Sequence, residues 1–305
     1  MKGLTKRETP IQNIAFVSIS AAIVALLSLL LEFVPFSALF VTLLLPTIAA
    51  CSVEYTKGKY GFLFLFASLL LSFIVTLSNY MDTLFYVYPA LISGFLYGTL
   101  RKYHLAVPLI VFACSVLSLL LNYAMIPLIK LIYEIDIIPF TINLLGLSSK
   151  TNILDIVPAF LFVYSLAEIG ISHLFIELTN KKLHYEEKEE GRYSYWYLLI
   201  STIFGAFVFL FMFFAPSMGY LFLVVSSYFL FAHCVDAFPN LKVAHYLILG
   251  ALLLCSIFLI AILYPFIPST NGLLLIEIPL LSFDFAFFLF GLQYLKRKGE
   301  SDEEK

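Results

Sequence analysis

The sequence predicts an all-α, polytopic integral membrane protein. About ten transmembrane helices are expected, or eight if two segments are re-entrant, with both termini on the inner side. Three observations lead there. Of 305 residues, 62% are hydrophobic and 12% charged, whereas soluble domains run to about 45–50% and about 25%. The mean hydropathy is +0.99. An ordinary soluble globular domain and a disordered chain are both excluded. The apolar residues also fall in runs near the roughly 20 residues that a helix needs to cross a bilayer. Finally, the basic residues segregate by side, as described below.

The opening Met1–Pro10 is basic through Lys2, Lys6 and Arg7. The apolar run behind it is too long for a signal-peptide core and is expected to stay as the first span, about Ile11 to Leu31. Glu32 and Pro35 mark its end. A shorter second span, about Phe36 to Val53, carries Pro46 and is expected to be kinked or partly re-entrant. The polar break Glu54–Lys59 follows, then the third span, Gly61 to Ser78, and a turn at Asn79–Asp82. The fourth span, about Thr83 to Leu100, closes on Arg101 and Lys102; the fifth runs from about Leu105 to Ile129. Lys130 to Asn152 reads as an outer loop with a short interfacial helix, and Ile153 to Ile176 as the sixth span. Four further spans are expected at Tyr195–Phe214, Met218–Ala237, Val243–Tyr264 and Leu273–Leu295.

With the N-terminus inside and sides alternating, only Lys130 and Lys150 of the 18 Lys+Arg fall outside. That bias is the positive-inside rule, and a missed or extra helix would scramble it. The expected organisation is a six-helix membrane region, 1–178, a charged cytosolic linker, 179–194, a four-helix membrane region, 195–295, and a polar cytosolic tail, 296–305. Neither a repeat of 20–50 residues nor an inverted symmetry between halves is evident.

Several chemistries lack their motif. There is no GxxxxGK[ST], HExxH, GxSxG or aspartate-rich DDxxD run. The acidic run Glu186–Glu190 beside Arg192 reads as a solvated linker. Cys51, Cys114, Cys234 and Cys255 form no CxxC or His-spaced set. No catalytic residues, metal ligands, cofactor or nucleic-acid partner are therefore expected. The bilayer is the expected partner.

Charge inside hydrocarbon costs about 2.5–3.5 kcal/mol per residue at mid-helix, so each instance needs a reason. Glu168 and Asp284 lie near the middle of the sixth and tenth spans. His173 follows Glu168 by five residues, Glu277 precedes Asp284 by seven and shares its face, and Asn122 lies deep in the fifth span. Two accounts stand. The carboxyls bind a cation, a proton or a basic ligand, or they are protonated groups that each donate one interhelical hydrogen bond. A second group, Glu32, Asn79, Asp82, Tyr86, Asp136 and Asp155, projects to the outer side, as loop polarity or as an outward-facing pocket. A third feature is the small-residue stripe Ala15, Ser18, Ala21, Ala22 and Ala25 of the first span, which suits an internal helix contact or the docking of another membrane protein.

The run Ile14–Leu29, the proline turn after it and the Leu45-Pro46 stretch resemble the start of an S-component of an energy-coupling-factor (ECF) transporter. The resemblance covers about residues 11–178. It implies a six-helix fold that binds a vitamin or metal from outside, with an alanine stripe on the first helix, here Ala21 and Ala25, meeting a membrane coupling subunit. The full length and the closing Leu281–Phe285 segment around Asp284 resemble the YybS-like family of Gram-positive bacterial membrane proteins. That family implies a bacterial plasma membrane and no particular substrate. The expected function is a substrate-binding subunit or transporter-like protein for a small solute, without its own ATPase. The alternative is a non-transporting membrane protein that organises or regulates an envelope or membrane process.

Overall fold

A computed structural model of the chain describes residues 9–34, 37–77, 83–103, 105–134, 153–182, 194–237, 243–266 and 269–303. These residues are 93% helical and include no strand. They form ten α-helices: α1 (Pro10–Phe33), α2 (Ser37–Glu54), α3 (Gly58–Val75), α4 (Tyr88–Arg101), α5 (Val107–Tyr133), α6 (Ile153–Lys182), α7 (Ser194–Phe211), α8 (Pro216–Ala237), α9 (Val243–Leu263) and α10 (Glu277–Glu303). Eight candidate spans are long and apolar enough to cross a membrane; the apolar parts of α2 and α7 are shorter. The chain is an all-α polytopic membrane protein.

Local chemistry explains the ends. Thr9 caps α1 by accepting the Gln12 N–H on its hydroxyl, and Pro10 takes the first position, where no N–H partner is lost. The 24 residues of α1 extend about 36 Å at 1.5 Å each, enough for a hydrocarbon core of about 30 Å. Pro46 sits inside a continuous α2. α5 runs on through Lys130 to Tyr133, so Lys130 belongs to a helix and not to a loop, and Glu134 stops it in the left-handed conformation at φ 58°. The rest of the expected outer loop, with its interfacial helix, lies outside the described residues. The last helix is also longer than its apolar run: 296–303 continues α10.

The chain divides into two compact units, 1–144 with 161–191, and 145–160 with 192–305. In the first, Val17 and Val24 of α1, Val41, Leu45 and Ala49 of α2, Phe64 of α3, and Ala90 and Leu91 of α4 make one core. α2 and α4 pack closest. A Cβ on Gly94 would lie 2.5 Å from the Pro46 Cα and carbonyl oxygen, and one on Gly98 would lie 2.6 Å from the Ala50 carbonyl oxygen. The pair Gly94-x-x-x-Gly98 thus brings two backbones together where packing, not water exclusion, drives association.

The segments that the positive-inside rule puts on the inner side meet at one end of this unit. Asn13 accepts the Lys57 N–H at 3.2 Å, and Lys102 donates to the Thr56 carbonyl at 3.1 Å. The Tyr55 hydroxyl donates to Asn180 Oδ1. Arg101 pairs with Glu54, Nε to Oε1 at 3.2 Å, and with Glu177. In the second unit, α7 and α8 are joined by a tight turn at 212–215, and two cores form. One gathers Val208, Met212, Tyr220 and Leu274; the other gathers Leu198, Leu230, Leu249, Ala286 and Phe287.

Candidate functional site

Each unit buries carboxyl groups in an apolar interior. In the first, α6 turns Ser165, Glu168 and Ser172 inward at helical spacing, and all are buried. Glu168 is 3% exposed. Ser118 of α5 donates to Glu168 Oε2 at 3.3 Å, and Asn122 donates to Ser118 at 3.4 Å. Asn122 Oδ1 has no hydrogen-bond partner among the described residues. Ser115 donates to the Ser165 carbonyl at 3.2 Å, and Ser172 donates to the Leu43 carbonyl of α2 at 2.8 Å. Tyr164, hydrogen-bonded to Thr42, is within electrostatic reach of Glu168 and Tyr86. Among the described residues no Lys, Arg or His pairs with Glu168. The result is a carboxyl flanked by neutral hydroxyl and amide groups, suited to a proton, a cation or a small solute with N–H or O–H donors.

In the second unit the carboxyls of α10 are Glu277, 0% exposed, and Asp284, 1% exposed. Ser226 of α8 donates to Glu277 Oε1 at 2.7 Å, and Ser201 of α7 donates to Asp284 Oδ2 at 2.9 Å. The two hydroxyls lie 3.4 Å apart, and Ser201 also reaches the Ser226 carbonyl at 3.0 Å. The four side chains therefore form one string, Glu277–Ser226–Ser201–Asp284. Glu277 Oε2 is buried with no hydrogen-bond partner among the described residues, and Thr202 is a second hydroxyl beside Asp284. Gly205 makes room for this arrangement, since a Cβ there would collide with Glu277 Oε1 and Leu281.

No protein-family profile, no curated protein and no solved structure matches the chain.

The structure sorts the expected site residues. It brings Asn122 to Glu168, through Ser118, and Glu277 to Asp284, through two serines. His173 goes elsewhere. Five residues place it about 140° round the helix from Glu168, where its Nδ1 meets the Tyr97 hydroxyl at 2.6 Å and lies 3.8 Å from Glu177. Of the outer-side group, Asn79, Asp82 and Asp136 lie outside the described residues. Glu32, in the last turn of α1, and Tyr86 are half-buried in the first unit, and Asp155 falls in the second. The small-residue stripe divides too. Ala21 is buried and Ala25 half-buried, while Ala15, Ser18 and Ala22 are exposed. Cys51, Cys114 and Cys234 are buried and Cys255 exposed, all as free thiols. Among the described residues no group of three or more His, Cys, Asp or Glu could hold a metal ion.

Sequence reading missed the serines. Ser118, Ser201 and Ser226 gave no signal beyond being hydroxyls in apolar runs. Ser118 stands four residues before Asn122, one helical turn, and that spacing could have marked it.

Proposed function

We propose that the chain is a transporter-like or substrate-binding protein of the bacterial plasma membrane, taking a small solute in its first unit. The observation that carries this reading is Glu168: a buried carboxyl, hydrogen-bonded by a neutral serine, with no cationic partner among the described residues. Such a group is costly in hydrocarbon and marks solute or ion pathways by default. A solute with a positive charge or N–H donors would complete its hydrogen bonding. The 305 residues contain no P-loop, so energy would come from a partner or an ion gradient. The S-component-like opening supports a membrane coupling subunit as that partner, and the YybS-like ending supports the Gram-positive envelope as the setting.

The test is thermal unfolding of the full chain in lipid nanodiscs against a panel of small amines and vitamin-like heterocycles. A ligand at a hundred times its Kd should stabilise by about 2.7 kcal/mol. Glu168→Gln should remove that rise and leave the unliganded Tm nearly unchanged. If no compound stabilises and native membranes yield no co-purifying ATPase module, the reading fails.

A second reading, a non-transporting protein that organises or regulates a membrane process, is favoured by one observation. Ala15, Ser18 and Ala22 leave a smooth exposed strip on α1, where another helix could approach closely. Crosslinking from that strip that captured only lipid would count against it.

A further inference from the structure

We infer that the string Glu277–Ser226–Ser201–Asp284 is a proton path inside the second unit, with one proton shared by the two carboxyls. This goes beyond the solute site: it concerns other residues in the other unit, and its test contains no solute.

Two ionised carboxylates in an apolar interior, with no Lys, Arg or His paired to either among the described residues, would be uncompensated. At least one proton must therefore sit on the pair. The hydroxyls between them meet the carboxyls at 2.7 and 2.9 Å, and the central oxygen–oxygen gap of 3.4 Å must shorten before a proton crosses it. Either serine can donate across the central gap, so the string can be polarised both ways. The carboxyls stand seven residues apart on α10, about 10 Å of rise, or about a third of the hydrocarbon core.

Purely structural carboxyls would be expected to use both oxygens. Here Glu277 Oε2 is buried with no hydrogen-bond partner among the described residues, while Asp284 has the Thr202 hydroxyl beside it as well as Ser201. That Glu277 oxygen is an open hydrogen-bonding position at its end of the string. Gly205 is the second sign of a built site, because any larger residue would displace the Glu277 carboxyl.

The transfer balances. The Asp284 O–H bond breaks as a bond to Ser201 Oγ forms. The Ser201 proton passes to Ser226 Oγ, and the Ser226 proton to Glu277 Oε1. One proton has moved, the negative charge has moved the other way, and no electrons have been exchanged. Rotation of the two hydroxyls resets the string. Thr202 of α7 stands beside Asp284 and gives its own hydroxyl proton to the Leu198 carbonyl. Cys234 of α8 is within electrostatic reach of Asp284. His233 meets Phe287 edge-on, His245 lies tilted against Phe290, and Tyr195 lies against Gly291, all further along α10.

Infrared difference spectroscopy of the full chain in nanodiscs, exchanged from H2O into D2O, tests the path. The expected result is a carboxylic-acid C=O band that shifts on exchange and responds to both Glu277→Gln and Asp284→Asn. Ser201→Ala should abolish that shared response, leaving each carboxyl to titrate alone. A band that never shifts in D2O, or two bands that each answer to one substitution only in the parent, would make the carboxyls structural and overturn the inference. The exchange of the parent needs no variant, so a variant that failed to fold would leave that result decisive.

Discussion

Replacing Arg101 by alanine is expected to cost the protein about 3–5 kcal/mol, the effect of removing one partner from a buried ion group. The guanidinium holds Glu54 at 3.2 Å, contacts Glu177 and reaches the Tyr97 hydroxyl at 3.5 Å. The Arg101 and Glu54 side chains are only 16% and 7% exposed. Without the cation, two carboxylates would face each other at the end of the unit. Arg101→Lys should recover only part of the loss, because an ammonium is a point charge and cannot fork between two carboxylates. Adding Glu54→Gln to Arg101→Ala should recover more, since it removes the uncompensated charge. Thermal unfolding in detergent and abundance in membranes would measure all three. An alanine variant within about 1 kcal/mol of the parent would reduce the group to an ordinary surface pair.

The same charges explain what was legible in the sequence. Glu54, Lys57, Arg101, Lys102 and Glu177 are scarce and expensive in lipid, so their positions mark the helix ends, and in the structure they meet at one end. Glu277 and Asp284 could be paired from sequence because seven residues is two turns. Inner and outer faces could not be read in this way. A helix in lipid is apolar all round, so periodicity no longer separates core from surface. Hence Ala21 faces the core of α1 while Ala15, Ser18 and Ala22, from the same stripe, face away. His173 shows a second limit. Nearness in sequence to Glu168 suggested one site, but the helical rotation between them sends His173 to Tyr97 and the ion group. The serines show a third. Many bond their own helix, as Ser28 does to the Val24 carbonyl and Ser256 to the Leu252 carbonyl. Only the fold separates these from Ser118, Ser201 and Ser226, which reach across to carboxyls.

The glycines of α4 should give the other large effect, and its sign should reverse elsewhere in the molecule. Gly94→Ala places a methyl 2.5 Å from Pro46 backbone atoms and 2.9 Å from the Ala49 Cβ; Gly98→Ala places one 2.6 Å from the Ala50 carbonyl oxygen. Backbone cannot swing aside as a flexible side chain can, so α2 and α4 must separate. Overpacking of this kind costs about 1–3 kcal/mol per site. The double variant should be worse than either single one, though less than additive, because once the helices part for one methyl the second meets less resistance. Parting α2 would also loosen the Ser172 hydrogen bond to Leu43, which ties α6 and therefore Glu168 to α2. At Gly170 on α6 and Gly250 on α9, an added methyl would meet nothing within 4 Å. Alanine there should stabilise by roughly 0.5–1 kcal/mol, the ordinary helix preference over glycine. Four single variants, followed by thermal unfolding in one detergent, decide the matter. If Gly94→Ala raised Tm as Gly170→Ala is expected to, helix propensity alone would account for both, and the close approach of α2 to α4 would carry no energetic weight.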